Sequence, residues 1–144
     1  MNMKKLFFLL LISSSSLIYS QNWETSYENS VKSAIVQNKK IILVFQGSDW
    51  CGPCIKLSKE IWSSQEFIDY SKENYVLLQA DFPRKKKNAL SEEQQNINNF
   101  LAEKYNPNGY FPLVVILNKN GGVLGETSYK KVTPKQYINL LESF

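Results

Sequence analysis

The chain has 144 residues and a formal net charge of +4, from 17 lysines and arginines against 13 acidic residues. A charge this small does not indicate a nucleic-acid partner. The sequence contains no histidine, which excludes histidine-based acid–base catalysis, and two cysteines are too few for a tetrahedral zinc site within one chain. We therefore predict no metal, no cofactor and one domain large enough to form its own core.

The first twenty residues are typical of a secretory signal peptide. Lys4 and Lys5 precede an apolar run over 6–12, and a serine run and Ser20 follow. The alternative is an uncleaved membrane anchor, but the serines interrupt the apolar stretch well short of the roughly 20 residues that a spanning helix needs. We predict cleavage after Ser20, a mature domain over 21–144 with a net charge of about +2, and no stable membrane insertion after cleavage.

Beyond residue 20 the hydrophobic pattern alternates between helical and strand spacing, which predicts an α/β domain. A continuous apolar run over 41–45 is typical of a strand buried on both faces, so helices should cover each side of the sheet. A helical segment between this strand and the next predicts a βαβ crossover. The predicted elements are a helix over 23–38, a strand over 41–45, a helix after the cysteines with a kink at 63–64, a strand over 75–80, a helix over 91–105, strands over 113–117 and 123–128 that form a hairpin, and a helix over 134–143.

Cys51 and Cys54 stand two residues apart, where the first strand ends and a helix begins. One turn of helix brings two such sulfurs within bonding distance. A ring this small removes little chain entropy, so the pair predicts reversible dithiol–disulfide chemistry rather than a structural crosslink. The helix N-terminus should lower the pKa of Cys51 and make it the nucleophile, with Cys54 as the resolving sulfur. Gly52 and Pro53 should keep the turn small and stiff.

The stretch Trp50-Cys51-Gly52-Pro53-Cys54, together with a proline after Phe111 just before a later strand, resembles the thioredoxin superfamily over nearly all of 23–144. Gly47-Ser48-Asp49-Trp50 resembles its exported members. The resemblance implies a central mixed sheet of about four to five strands with helices on both faces. It also implies that Pro112 is cis rather than trans and that Phe111 pairs with an extended substrate segment. Trp50 is expected to flank the sulfur as an apolar contact surface or, equally, to belong to the core.

The resemblance further implies a direction of electron flow. A Gly-Pro pair between the cysteines goes with strongly reducing members, at about −270 mV for thioredoxin, whereas oxidising members usually carry a histidine there. We therefore predict an exported, periplasmic or extracytoplasmic bacterial reductase of protein disulfides. An oxidising compartment offers no soluble reductant pool, so its electron donor should be a membrane thiol protein. The alternatives are a disulfide oxidase or isomerase, and a non-catalytic binding or chaperone module with the same fold.

Two departures from the thioredoxin pattern concern the proton of Cys54. Thioredoxins usually carry a buried aspartate six positions before the first cysteine and a lysine that pairs with it, and here Phe45 and Leu77 take those places. Asp49 could accept the proton instead. Alternatively, Asp49 is a solvated turn residue or a capping residue, with no part in the proton transfer.

The segment over 82–108 is longer than in a minimal thioredoxin, and it begins with a basic run, Arg84–Lys87. This run could meet an acidic partner or could simply be a solvated loop. Asp81 ends the preceding strand and is expected to hold the loop that follows it.

Overall fold

Strand β2, Lys40–Gln46, contains the apolar run that the sequence predicts to be buried on both faces. In the computed structural model, which describes residues 21–144, every side chain from Ile41 to Phe45 is at most 1% exposed. The strand pairs in parallel with β3, Tyr75–Asp81, and antiparallel with β4, Leu113–Leu117. The parallel pair confirms the predicted crossover between β2 and β3.

Two further strands flank these three. Strand β5, Val123–Thr127, forms the predicted hairpin with β4, and a short strand β1, Trp23–Glu24, pairs in parallel with β3 at the opposite edge. Over the described residues the strand order is β1-β3-β2-β4-β5. The predicted helix over 23–38 is therefore wrong at its start, because helix α1 covers only Tyr27–Gln37. Trp23 is held in the edge strand by packing against Trp62, with ring centroids 5.6 Å apart.

The remaining helices follow the predicted order, and most begin at a serine or threonine that caps the first turn. Ser64, Ser91 and Thr133 each accept a hydrogen bond from a backbone N–H of the turn that follows. The predicted kink at 63–64 is the junction between a π-helical turn, Ser58–Trp62, and helix α3, Gln65–Asn74. The segments are α2 (Gly52–Leu57), the π-helical turn (Ser58–Trp62), α3 (Gln65–Asn74), a 3₁₀ turn (Lys86–Asn88), α4 (Glu92–Tyr105) and α5 (Pro134–Glu142).

The sheet separates two apolar layers, as predicted for a strand buried on both faces. Ile42 and Val44 of β2 pack with α2, α3 and α5, whereas Leu43 and Phe45 pack with α1 and α4. Successive residues of a strand point to opposite faces, so β2 contributes to both layers. This two-layer core confirms the predicted α/β sheet with helices on both faces and fixes the end of β2, from which the cysteine loop extends.

The predicted signal peptide, 1–20, lies outside the described residues. Its cleavage after Ser20 and the domain boundary at residue 21 stay predictions. Within 21–144, no helix combines the length and the apolar character needed to cross a membrane.

Candidate active site

The two cysteines lie where β2 gives way to α2, and they form a disulfide with 5.2 Å between their Cα atoms. The carbonyl of Gly47 accepts the N–H of Cys51, which closes the loop after β2. Cys51 is the N-cap of α2, and its Sγ accepts the N–H of Cys54 at 3.3 Å. Gly52 and Pro53 occupy the exposed first turn between them. In this oxidised form Cys51 is 5% exposed and Cys54 3%, so position on the helix, rather than exposure, distinguishes the two sulfurs.

Trp50 joins the cysteine loop to two other loops. Its indole N–H donates to the carbonyl of Phe82 at 2.7 Å, and its ring meets Phe111 edge-on with 5.5 Å between centroids. The guanidinium of Arg84 lies over the same ring, 3.6 Å from its centroid. Trp50 is half-buried, so its ring belongs in part to the local packing and is in part exposed next to Cys51. Its role as a contact surface for substrates stays a prediction.

Asp49 binds the loop that follows β3. Its carboxylate accepts the N–H groups of Arg84 and Lys85 at 2.9 and 3.0 Å and the side-chain amide of Asn88 at 2.9 Å. These hydrogen bonds, the one from Arg84 first, lower the pKa of Asp49 from 3.8 to about 2. A carboxylate engaged in this way is a loop anchor, and the interpretation of Asp49 as proton acceptor for Cys54 is not supported.

The Asp49 anchor should depend on pH. Because the pKa of Asp49 is about 2 in the folded chain, below its ordinary value, the anchor contributes fully above about pH 4 and is lost as the pH falls through about 2. Asp49→Ala should lose it at every pH, so the amides of Arg84 and Lys85 should exchange with solvent faster even at pH 6. Hydrogen exchange measured by mass spectrometry checks this, with Asp69→Ala on α3 as the matched carboxylate control. Unchanged exchange in Asp49→Ala would contradict the anchor.

Asp81 plays a comparable part, but toward the preceding loop rather than the following one. Its carboxylate accepts the N–H of Ser48 at 2.9 Å and the Ser48 hydroxyl at 2.6 Å, so the predicted role of its side chain in holding the next loop is wrong in direction. Its backbone carbonyl accepts from the buried side chain of Asn98 on α4 at 2.8 Å. The ends of β2 and β3 are thereby fixed to each other next to the disulfide.

The peptide bond between Phe111 and Pro112 is cis, as the resemblance implies. The Pro112 carbonyl accepts the hydroxyl of Ser128 at 2.6 Å, and the Phe111 ring lies between Trp50 and Phe82, 5.6 Å from the latter. This loop therefore reaches the residue before Cys51. A groove of about 630 Å³ runs beside it. The groove is lined in part by Phe111, Pro112, Glu126, Ser128, Leu140 and Phe144. The role of Phe111 and Pro112 in substrate binding stays a prediction.

A disulfide at the junction of a central strand and a helix, with a cis-proline loop that contacts the residue before the first cysteine, has counterparts among known proteins. A family model described as thioredoxin-like matches residues 22–119. The chain belongs to the thioredoxin-like family. Its Cys51–Cys54 pair makes it a thiol:disulfide oxidoreductase of that family.

Relatives of this thioredoxin-like chain carry Dsb names. It is 32% identical over 121 residues to the disulfide bond reductase DsbH of Chlamydia pneumoniae, covering 84% of this chain and 70% of that protein. It is 27% identical over 96 residues to the thioredoxin-related protein DsbJ of the same organism, covering 67% of this chain but 27% of DsbJ. A solved DsbH oxidoreductase structure superposes with a TM-score of 0.79 at 31% identity, over 86% of this chain and 83% of that one. A thioredoxin from Thermus thermophilus shares the fold. It superposes with a TM-score of 0.61 at 14% identity, over 86% of this chain and 87% of that one.

The thioredoxin-like site departs from the usual pattern next to Cys54, as the sequence predicts. Phe45 is fully buried in the layer formed with α1 and α4, and Leu77 lies in the opposite layer. The polar residue that faces the α2 side is the next one, Gln46, whose amide donates to Gln79 of β3 at 3.1 Å. Successive side chains of a strand point to opposite faces of the sheet. The sequence could therefore have indicated that Gln46, the neighbour of Phe45, faces α2 if Phe45 does not.

A polar cavity of about 280 Å³ reaches Cys54 from the side of Gln46. It is lined by Gln46, Ser48, Cys54, Ile55, Ser58, Lys59 and Ser63. A cavity of this size, lined largely by polar side chains, has room for water. These side chains adjoin Cys54 in place of the buried carboxylate that thioredoxins usually carry.

Proposed function

We propose that this chain reduces disulfides of proteins outside the cytoplasm. The observation that carries the proposal is the Cys51–Cys54 disulfide at the N-terminus of α2, with Gly52 and Pro53 between the sulfurs. A Gly-Pro turn without histidine is the pattern of the reducing end of the thioredoxin scale. The name of the DsbH relative, a disulfide bond reductase, supports the same direction.

The proposed cycle starts from the dithiol. The Cys51 thiolate, stabilised by the N–H of Cys54 and the helix end, attacks one sulfur of the substrate disulfide. That S–S bond breaks, a mixed disulfide forms, and the released substrate thiolate takes up a proton. Cys54 then loses its proton, its thiolate attacks the Sγ of Cys51, and the second substrate thiol leaves. Two electrons have passed to the substrate, and the chain is left as the observed Cys51–Cys54 disulfide.

The proposed location is extracytoplasmic and bacterial. The support comes from the signal-peptide pattern over 1–20 and from the use of both cysteines for one exchangeable disulfide. In such a compartment a strongly reducing dithiol cannot be regenerated by a soluble thiol pool. A membrane thiol protein is therefore the proposed electron donor, and proteins that contain disulfides are the proposed substrates.

The reduction potential of the Cys51–Cys54 couple tests the direction. We expect a value at or below about −230 mV, on the scale that runs from about −270 mV for thioredoxin to about −120 mV for the oxidant DsbA. Equilibration with dithiothreitol or glutathione buffers, followed by thiol alkylation and mass spectrometry, gives this value directly. A potential between about −120 and −180 mV would contradict the reductase proposal and make the chain a disulfide donor or isomerase.

The non-catalytic alternative predicts a different result. If the chain were a binding or chaperone module, the wild type and the Cys51→Ser/Cys54→Ser double variant would bind an unfolded, cysteine-free polypeptide equally well. Neither would reduce a disulfide. We expect turnover of insulin disulfides by the wild type and none by the double variant, because the reaction needs both sulfurs of the pair.

A further inference from the structure

The basic run Arg84–Lys87 lies in the loop between β3 and α4, directly after the strand end that adjoins the cysteine loop. All four side chains are exposed. The sequence alone leaves them as a solvated loop or as a surface for an acidic partner. Their position relative to the disulfide decides between these two interpretations.

This loop is fixed to the active site. Asp49, two positions before Cys51, binds the N–H groups of Arg84 and Lys85, and the indole of Trp50 donates to the Phe82 carbonyl. The guanidinium carbon of Arg84 lies over the Trp50 ring, 3.6 Å from its centroid. A loop that is merely solvated would not need these contacts. Here they hold Arg84 next to the residue that precedes the nucleophile, and the three lysines follow Arg84 directly in the same anchored loop.

Within residues 21–144 the nearby carboxylates form no side-chain ion pair with the basic run, although the charge of Lys85 contributes to lowering the pKa of Asp49. Asp49 is occupied by backbone N–H groups and Asn88, and Asp81 by Ser48. Within residues 21–144 the side-chain ion pair joins Lys32 and Glu28, on α1. The exposed ammonium groups of Lys86 and Lys87 are thus available to a binding partner.

We propose that the loop Arg84–Lys87 recruits substrates that carry acidic residues beside the disulfide to be reduced. This inference rests on the proposed function and names its substrate class. A partner bound here must also present a disulfide to Cys51, which favours an acidic polypeptide over a lipid or nucleic-acid surface. Clustered charges of one sign raise the local concentration of the opposite charge and can accelerate encounter tenfold or more at low ionic strength.

The first step of the reaction provides the test. In the Cys54→Ser variant, the Cys51 thiolate attacks a cystine peptide, the peptide disulfide breaks, and the product is a stable mixed disulfide plus one protonated peptide thiol. Three peptides are compared, which differ only in whether glutamate, glutamine or lysine flanks the cystine. At low salt we expect trapping of the glutamate peptide to be about tenfold faster than that of the glutamine peptide, with the lysine peptide slowest.

Paired charge variants show where the preference arises. In the same background, Lys86→Gln/Lys87→Gln should reduce the preference to about threefold or less and leave trapping of the glutamine peptide unchanged. The matched control, Lys39→Gln/Lys119→Gln, removes the same charge at the opposite end of β2, where Lys39 precedes the strand and Lys119 binds Asn38. This control should keep the preference. Added salt at about 0.5 M should suppress the preference for the glutamate peptide in every variant that shows this preference.

Two results would overturn the proposal. One is equal trapping of the glutamate and glutamine peptides by the parent variant. The other is loss of the preference in the Lys39→Gln/Lys119→Gln control as much as in Lys86→Gln/Lys87→Gln. Trapping reports attack by Cys51 and not the direction of net electron flow. A preference for the glutamate peptide combined with a high reduction potential would therefore overturn the reductase proposal and leave the proposal for the loop standing. Binding of the wild type to anionic phospholipid vesicles that requires Lys86 and Lys87, with no peptide preference, would assign the loop to lipid instead.

Discussion

Replacing Cys51 by serine should lower the rate of disulfide reduction at least about a thousandfold. Cys51 is the N-cap of α2 and accepts the Cys54 N–H, so it occupies the position where a thiolate is best stabilised and where a substrate sulfur can approach the end of the helix. A serine hydroxyl has the same shape but is a far weaker nucleophile toward a disulfide. Insulin reduction followed by turbidity, with dithiothreitol as the electron donor, measures the loss.

Cys54→Ser is the matched variant, because it removes the other sulfur of the same pair. It should also fail to turn over, but it should accumulate a mixed disulfide with the substrate that mass spectrometry detects, since the attack by Cys51 is intact and the second step is missing. Cys51→Ser should accumulate none. If Cys51→Ser instead traps substrate and Cys54→Ser does not, the proposed roles of nucleophile and resolving sulfur are reversed.

Replacing Gly47 by alanine should have the largest effect on stability among single-methyl additions near the site. A Cβ at this position would overlap the indole of Trp50 at three atoms, Cε2, Nε1 and Cζ2. The indole cannot easily move aside, because its N–H donates to the Phe82 carbonyl and its ring contacts both Arg84 and Phe111. We expect a loss of about 1–3 kcal/mol in the free energy of unfolding, the usual cost of overpacking, measured by urea denaturation.

Gly52→Ala provides the comparison for Gly47→Ala, since a Cβ on Gly52 would meet no atom within 4 Å. This variant should unfold at the wild-type urea concentration or slightly above it, because alanine is preferred to glycine in a helix. Displacement of the indole in Gly47→Ala should also shift the NMR signal of the Trp50 indole N–H, which loses its acceptor. Equal stability of the two alanine variants, with an unshifted indole signal, would show that Trp50 does not pack over Gly47 as described.

The sequence predicted the parts of the site that depend on local pattern. The apolar run in β2 places a buried strand, and the cysteine spacing directly after it places the disulfide at the start of a helix, as observed. Both signals come from residues within about one turn or one strand of each other, where periodicity and spacing are informative. The strand Trp23–Glu24 could not be predicted in this way, because two residues show no period and its pairing with β3 is a tertiary effect.

Other features of the site could not be predicted because they join distant parts of the chain. Asp49 and the N–H of Arg84 are 35 residues apart, and Ser48 and Asp81 are 33 residues apart. A carboxylate after a strand has several plausible partners, and only the packing of the two parallel strands determines which one it meets. For the same reason, the cavity beside Cys54 and the neighbouring Gln46–Gln79 contact become visible only when β2, β3 and α2 are in place.

The direction of the edge strand β1 determines which side of the molecule faces a fusion partner or a solid surface that is joined near residue 21. β1 runs parallel to β3, and β3 ends at Asp81, which contacts the cysteine loop through Ser48. The chain therefore enters β1 from the end of the sheet that faces away from the disulfide. A fusion partner, affinity tag or sensor chip joined through Gln21 would leave the face around Cys51 open to large protein substrates, so immobilised protein should present its dithiol outward.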